Sequence, residues 1–358
     1  MNKGEKILDR QTDRQTDRQT DRQTDRLGYI DTAKGLGIIF VLVQHHLLGV
    51  EPINNWILSF HMPLFFMISG YLYAYKDNYQ KPISQVIISK LKGLLYPYLI
   101  LSLIVIIWHV FFFCVLFTNS TPENTTGEIV LLTISTYGYH AFWFITCLFY
   151  SSIVFAVLRK FHLHNIVCII LLVVLLGLFY FTNQINGYPL RFIVRIGIGV
   201  INIYLGYLMY KIINKSTFMI RKILFYSCLT ISLISLFGYF FWKEYMPYLN
   251  ISICNIKNPL FGFPLAFLVS LFFIILSSKI DNKALRFLGK NSIIMLAFHM
   301  DISIEIAYLI LGQLKIQTNN TVLSIFAIVL EIVVLIVMIL IANKCFPFIY
   351  IFPKSSIK

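Results

Sequence analysis

The sequence predicts an all-α, polytopic integral membrane protein of about ten transmembrane helices, with both termini in the cytoplasm. Three observations predict this fold. Of the 358 residues, 58% are hydrophobic and 13% are charged, whereas soluble domains carry about 25% charged residues. The apolar residues form ten stretches of the length that crosses a bilayer, about 20 residues each. The basic residues are concentrated in alternate loops between these stretches.

Each of the ten apolar stretches predicts one helix. They lie near residues 31–50, 54–75, 94–118, 138–158, 165–182, 191–210, 223–242, 259–278, 292–312 and 321–342. The segment 129–137, just before the fourth stretch, is also apolar, and a short interfacial helix is the alternative interpretation of it.

The loops give the orientation of the chain in the membrane. The loops 76–92, 159–164, 211–222 and 279–290, together with the tail 344–358, carry seventeen Lys and Arg residues, whereas the alternating loops carry three. Cytoplasmic loops are enriched in basic residues. The richer set therefore predicts the cytoplasmic side, and the alternation agrees with an even number of spans. We expect a multi-pass protein of the bacterial cytoplasmic (inner) membrane.

Residues 9–26 repeat the tetrapeptide Asp-Arg-Gln-Thr. The repeat has no apolar face, so it predicts a disordered tail over residues 1–27, ahead of a membrane domain over 28–358. A GACA tetranucleotide tract read in triplets encodes this same tetrapeptide. Because such tracts slip during replication and shift the reading frame, the repeat also favours a phase-variable gene. A solvated tail without regulatory meaning is the alternative.

The net charge of +14 is attributed to the cytoplasmic loops. A nucleic-acid partner is not expected, because no patch of interleaved basic and aromatic residues is present. No sequence motif for a metal site is present either, so we expect no metal. The expected surroundings of the chain are the lipid bilayer.

The first helix carries a polar face. Lys34 and His45 are eleven residues apart, which leaves an offset of only about 20° at 100° per residue and places them roughly 16 Å apart along the axis. Asp31 lies close to the same face, whereas His46 points about 120° away from Lys34. The face would connect a cytoplasmic basic group to an imidazole deep in the membrane. A structural His and an interfacial Lys are the alternative.

Further polar residues lie in later spans. His61 precedes Pro63 in the second span, where the proline predicts a kink. Trp143 is interpreted either as a site residue or as part of an interfacial aromatic belt. Arg191 and Arg195, one turn apart, are interpreted either as anion-binding residues or as snorkelling residues.

The ninth and tenth spans contain buried acids that offer a rival function. Ser292 and His299 share a face, and Asp301, Glu305 and Glu331 follow them. Carboxylates within transmembrane segments can form a proton relay. A proton-coupled transporter or flippase of a glycan precursor is therefore the alternative to an enzyme.

Five segments, in this order along the chain, resemble the motifs of membrane acyltransferase family 3. The segments are 29–45, with its Lys-x10-His spacing; 60–71, FHMPLFFMISGY; 92–98, KGLLYPY; 143–144, Trp-Phe; and 288–299, with Gly-Lys-Asn-Ser followed by His. The resemblance extends from about residue 28 to the end of the chain. The form of the first motif is most similar to the branch that includes fucose 4-O-acetylases.

The resemblance implies a membrane-embedded O-acyltransferase that uses acetyl-CoA as acyl donor and carries no permanently bound cofactor. The implied acceptor is a hydroxyl of a lipid-linked or exported saccharide, in lipopolysaccharide, capsule or exopolysaccharide. By resemblance, His45 is the catalytic histidine. Family members often have Arg where this chain has Lys34, and His46 beside His45 is a further departure.

The residues suggest a division of roles around His45. A neutral imidazole there would act as general base or as transient acyl carrier. Asp31, Lys34, His61, Ser292 and His299 are expected to support or orient it. The residues expected to bind acyl-CoA or the acceptor are Lys34, Trp143, Arg191, Arg195, Lys290 and Asn291. Whether the acyl group is acetyl or succinyl stays open.

Overall fold

The structure is a computed structural model that describes residues 27–46, 51–111, 126–182, 184–280, 282–313 and 321–345. Within these ranges, nine helices are long and apolar enough to cross a membrane. The predicted all-α, polytopic membrane fold is confirmed. All but the last residue of the predicted tail lies outside the described residues.

The described helices follow the predicted order. They are α1 (Gly28–His46), α2 (Glu51–Leu58), α3 (His61–Tyr75), α4 (Ile83–Lys90), α5 (Tyr96–Phe111), α6 (Thr126–Ile134), α7 (Trp143–Lys160), α8 (His164–Phe181), α9 (Tyr188–Lys215), α10 (Phe218–Phe241), α11 (Pro259–Ser277), α12 (Lys283–Lys290), α13 (Ser292–Phe298), α14 (Ile304–Gln313) and α15 (Thr321–Cys345). π-Helical turns join α4 to α5 (Leu91–Leu95) and α13 to α14 (His299–Ser303), and a 3-10 turn (His140–Phe142) precedes α7. A two-stranded antiparallel hairpin, β1 (Tyr248–Asn250) and β2 (Asn255–Lys257), lies between α10 and α11.

Two details of the span prediction are resolved by the structure. The apolar segment before the fourth span forms a separate short helix, α6, as the alternative interpretation held. Helix α1 is not among the nine apolar helices, because polar residues at both ends lower its mean hydropathy: Asp31 and Lys34 at the start, and Gln44, His45 and His46 at the end. It is nevertheless packed into the bundle, with residues along its whole length buried. The predicted end of this span, residues 47–50, lies outside the described residues.

Glycines fix the crossing of α3 and α9, which make the most extensive helix contact in the bundle. A Cβ atom at Gly70 would overlap the carbonyl oxygen of Ile203, and one at Gly206 would overlap the carbonyl oxygen of Met67. Small residues let two helix backbones approach closely where apolar lipid gives no hydrophobic drive to associate. The close approach at Gly70 and Gly206 therefore sets the position of α3 against α9.

Helix α1 is fixed in the same way against α12. A Cβ atom at Gly35 would overlap the backbone of Leu285, and one at Gly289 would overlap the carbonyl oxygen of Asp31. The two backbones meet on the side of the bundle that the basic loops predict to be cytoplasmic. This contact holds the cytoplasmic half of α1, and with it the direction in which Lys34 and His45 point.

The second span is interrupted just before His61. Helix α2 ends at Leu58, Ser59 and Phe60 form a turn, and α3 begins at His61. Pro63 stands in the first turn of α3, where its missing N–H costs no helical hydrogen bond. The sequence predicted a kink beside His61, and the structure shows a two-residue interruption of the helix there, with His61 buried in the bundle.

Candidate active site

The predicted outer half of the bundle encloses a cavity of about 390 Å³ that four histidines line. They are His45 from α1, His61 from the start of α3, His140 from the 3-10 turn and His299 from the π-helical turn. Four separate elements thus bring imidazoles to one cavity, which is called the outer cavity below. Within the described ranges, no group of three or more His, Cys, Asp or Glu side chains is suited to hold a metal ion.

Backbone hydrogen bonds fix the rings of two of these histidines. The Nδ1–H of His61 donates to the carbonyl of Ile57 at 2.8 Å, and the Nδ1–H of His299 donates to the carbonyl of Leu296 at 2.7 Å. A carbonyl only accepts, so the proton of each neutral ring is on Nδ1, and Nε2 keeps its lone pair. The Nε2 of His299 is buried without a hydrogen-bond partner among the described residues.

His45 lies against one of these two histidines, His299. Its ring centroid is 5.0 Å from that of His299, with the two planes tilted by 52°. Among the described residues, the structure gives the His45 side chain no hydrogen bond and no ion pair. The ring is therefore held by packing and stays available to a substrate in the outer cavity. The prediction that His45, rather than His46, faces the site agrees with this placement.

The fourth histidine is paired with an acid. The Nδ1–H of His140 donates to Asp301 Oδ1 at 2.6 Å, across 161 positions of sequence. The sequence placed Asp301 among the candidate relay acids and gave no sign that His140 is its partner. No local pattern could have shown this pairing, because the 3-10 turn and the π-helical turn that carry them meet only in the folded bundle.

Trp143 and Arg195 form another wall of the outer cavity. The Arg195 guanidinium lies over the Trp143 ring, 4.8 Å from its centroid, and donates to the backbone carbonyl of Ser252. Its Nε is buried and has no partner among the described residues. The quadrupole of an aromatic ring attracts a desolvated cation that lies over its face. Both residues were predicted for ligand binding, and both reach the cavity.

A second cavity, of about 530 Å³, lies in the half of the bundle predicted to be cytoplasmic. Four lysines line it: Lys34, Lys76, Lys81 and Lys90. The Nζ of Lys90 donates to Ser69 Oγ at 2.9 Å, and the Nζ of Lys34 lies 3.5 Å from Asp31 Oδ1. The apolar wall of this second cavity includes Phe65, Phe144 and Ile293. This inner cavity combines fixed positive charge with an apolar interior.

Among the described residues, the two cavities share one lining residue, Leu296 of α13. Leu296 also accepts the hydrogen bond of His299, whose ring contacts His45. Lys34 lines the inner cavity and His45 lines the outer one. The polar face predicted for α1 therefore contributes one residue to each cavity.

Of the remaining predicted site residues, one lines the inner cavity and three line neither cavity. Ser292 lines the inner cavity, whereas Lys290 and Asn291 line neither cavity. The Asn291 side chain donates to the carbonyl of Phe287 at 2.8 Å. Arg191 also lines neither cavity; its Nε donates to the carbonyl of Ile185 at 2.6 Å. In this structure, Asn291 and Arg191 hold the backbone near the two cavities.

The acids considered for a proton relay each have a partner. Glu331 Oε2 accepts from Nε2 of His46 at 2.7 Å, and Glu331 Oε1 accepts from Ser303 Oγ at 2.9 Å. Glu305 accepts from the Trp108 indole at 2.8 Å. Glu331 and Glu305 line neither cavity. The hydrogen bonds of Glu331 and Glu305 connect separate helical segments. The geometry therefore gives no support to a continuous proton relay.

Residues 27–342 match the acyltransferase domain of acyltransferase family 3. The match covers well over half of the chain, and the chain belongs to this family. It is therefore an acyltransferase, and its apolar helices make it a membrane protein. No curated protein and no solved structure matches the chain.

Proposed function

We propose that this member of acyltransferase family 3 transfers an acetyl group from acetyl-CoA to a hydroxyl of a bacterial surface glycan, in the cytoplasmic (inner) membrane. The glycan belongs to lipopolysaccharide, capsule or exopolysaccharide. One observation carries the proposal: a lysine-lined cavity and an imidazole-lined cavity meet at Leu296. The first suits an anionic donor from the cytoplasm, and the second suits a hydroxyl acceptor from the outer side.

The inner cavity fits the donor by charge and shape. CoA is a polyanion, and its phosphates would find the lysines of this cavity on the side from which CoA is supplied. Lys34, Lys76 and Lys90 line this cavity, where their ammonium groups would donate hydrogen bonds to phosphate oxygens. Such charge-assisted bonds are stronger than hydrogen bonds between neutral groups. The apolar wall, which includes Phe65 and Phe144, suits the rest of the donor up to its thioester.

The outer cavity fits a sugar acceptor. Trp143 supplies a flat apolar face, and Asn250, on the hairpin, supplies polar groups. Arg195 is the cation of this wall, placed to bind an anionic group of the glycan or to stabilise the oxyanion that forms during acyl transfer. The acceptor hydroxyl would lie among the imidazoles.

His45 acts on the acyl group in one of two ways. It takes the proton from the acceptor hydroxyl while the oxygen attacks the thioester, or its own nitrogen attacks first and carries the acyl group. A buried, apolar setting favours the neutral imidazole that both routes require. Its position beside His299, which is bonded to Leu296, puts it near the boundary of the two cavities.

Mass spectrometry of surface glycans tests the proposal. Three strains are compared: one with the gene locked in frame, one with it locked out of frame, and one in frame with His45→Ala. We expect one added acetyl group per modified sugar in the in-frame strain only, with the variant protein present in membranes at the same level. Identical glycans in all three strains would contradict the proposed function.

The proposal includes random switching of the gene through the repeat that encodes residues 9–26. Sequencing the DNA tests this part separately. An unbroken GACA tract that differs in length between colonies is expected. Mixed synonymous codons in the repeat would exclude slippage as the origin of the tetrapeptide.

A further inference from the structure

The pairing of His140 with Asp301 has the geometry of an oriented base. An ionised carboxylate only accepts hydrogen bonds, so the proton of the neutral His140 ring is on Nδ1, toward Asp301, and Nε2 keeps its lone pair. His140 lines the outer cavity and its side chain is 34% exposed, whereas Asp301 is 8% exposed. The acid is buried behind the ring, and the ring is accessible to an acceptor.

The fold holds this pair in place from both sides. His140 has φ of 39°, a left-handed conformation that is uncommon for residues other than glycine and that the surrounding structure must hold. The Tyr139 ring stacks on the His140 ring, with centroids 3.9 Å apart. On the other side, Asp301 lies in the π-helical turn, where Ser303 Oγ donates to the carbonyl of His299 at 3.0 Å.

A further observation concerns the second carboxylate oxygen of this pair. The second oxygen of Asp301, Oδ2, is buried and has no hydrogen-bond partner among the described residues. A buried carboxylate oxygen left without a donor is costly. Such an oxygen stabilises positive charge on the ring beside it once that ring has taken a proton. The carboxylate is therefore placed to stabilise the charge that forms when Nε2 of His140 takes a proton during the reaction.

His45 has a different environment in the same cavity. Among the described residues it has no acid partner, and it contacts His299, which is bonded to Leu296 at the boundary with the inner cavity. His140 is placed by an acid and is partly exposed. One imidazole is thus near the donor side and without a counter-ion, and the other has a counter-ion and faces the acceptor side.

We propose that His45 carries the acyl group and that His140, oriented by Asp301, takes the proton from the acceptor hydroxyl. This inference rests on the proposed function and assigns its two steps to different histidines. His140 is a catalytic residue in this scheme, and Asp301 is a positioning residue.

The two steps balance in atoms and charge. In the first, the unprotonated nitrogen of His45 attacks the thioester carbonyl, the C–S bond breaks, and CoA leaves as a thiolate that takes a proton from water. In the second, the sugar oxygen attacks the acyl carbon of the acyl-imidazolium and the C–N bond breaks. His45 leaves as a neutral imidazole, Nε2 of His140 accepts the hydroxyl proton, and that proton then passes to water.

The test separates the steps with purified full-length protein and acetyl-CoA labelled in its acetyl group. CoA thiol release and protein-bound label are measured without acceptor. Transfer is then measured to the glycan fraction extracted from the out-of-frame strain. The variants are His140→Ala, Asp301→Asn, the double variant and His45→Ala. His164→Gln is the control, because His164 is a buried histidine that binds Arg159 at 2.9 Å and lines neither cavity.

We expect His140→Ala and Asp301→Asn to release one CoA per protein and to keep the label on the protein. Their transfer to glycan should fall by about 10²–10⁴, the usual contribution of a general base. The double variant should be no slower than the slower single variant, because the two residues act as one unit. His45→Ala should give neither CoA release nor bound label, and His164→Gln should behave as wild type.

Three outcomes would overturn the inference. Transfer at the wild-type rate by His140→Ala shows that another group takes the proton. Loss of CoA release in His140→Ala or Asp301→Asn, or the lack of bound label in every protein, shows that the steps are not divided. Failure of the wild-type protein both to release CoA and to modify glycan counts against the proposed function itself, so the two failures are distinguishable.

Discussion

The inner and outer cavities have similar sizes and opposite chemistry. The inner cavity is lined by lysines, and the outer cavity is lined by imidazoles. An ammonium group suits binding of an anion, whereas an imidazole suits general-base or nucleophilic catalysis. Under the proposed function, this difference means that the bundle separates recognition of the donor from the chemistry, with α13 between the two cavities. Three substitutions test this separation.

The largest effect is expected from Leu296→Trp, at the residue that both cavities share. Leu296 is buried, and a bulky ring there would fill the space between donor and imidazoles. Small misplacements of reacting groups cost about 10²-fold in rate, so transfer to glycan should fall by at least about 100-fold. CoA binding, measured by calorimetry on purified protein, should change only a few-fold.

Leu296→Met is the matched control, because a swap of similar volume is tolerated in packed interiors. It should keep most of the transfer activity. Transfer at the wild-type rate by a folded Leu296→Trp protein would mean that the acyl group does not pass this residue. It would contradict the division of donor binding and chemistry between the two cavities.

Lys90→Met sharpens the assignment of the inner cavity. Met keeps an apolar stem of similar length and removes the charge beside Ser69. A lost charge-assisted hydrogen bond costs about 1.5–3 kcal/mol, so the Kd for CoA should rise about tenfold or more. The difference from wild type should shrink as salt is added, since screening weakens charge interactions.

The kinetic signature of Lys90→Met is a raised KM for acetyl-CoA with kcat nearly unchanged. Lys243→Met is the control, because Lys243 is an exposed lysine that pairs with Glu51 at 3.2 Å, away from both cavities. A lowered kcat at unchanged KM would place Lys90 in the chemical step and contradict the separation.

The smallest effect on activity is expected from Glu331→Gln, outside both cavities. Glu331 is fully buried and joins α15 to His46 and Ser303. The amide keeps an acceptor for Ser303 but weakens the bond to His46. The free energy of unfolding should fall by about 1–3 kcal/mol, seen as a lower Tm, while activity per folded molecule changes less than about threefold.

A contrary result for Glu331→Gln would be informative in a different way. Full stability with loss of activity would give Glu331 a role in proton movement, as the transporter hypothesis required. Unfolding and transfer should therefore be measured on the same preparation.

The sequence predicted more of the fold than of the site. Apolar stretches were enough for the spans, because span length follows from the thickness of the bilayer. The orientation given by the basic loops stays a prediction. The 11-residue spacing from Lys34 to His45 placed both on the inward face of α1, since helical periodicity is local. The break before His61 was signalled by Pro63, although its full extent was not.

The parts that the sequence missed depend on contacts between distant segments. His140 and Asp301 are held by turns that are not regular α-helix, so no periodic pattern placed them together. The lysines of the inner cavity were counted for orientation, but only Lys34 was singled out as a site residue. Their convergence follows from how α1, α3 and α4 pack, which short motifs do not encode.

The single shared residue between the cavities has a consequence for the cell as a whole. A protein that takes its two substrates from opposite sides of an energised membrane risks becoming a leak for ions. A narrow apolar constriction resists wetting and blocks ion passage, and Leu296 is a buried apolar side chain where the two cavities meet. Under the proposed function, an acetyl group passes Leu296 to reach His45 whereas a hydrated ion does not, so acyl transfer leaves the membrane potential intact.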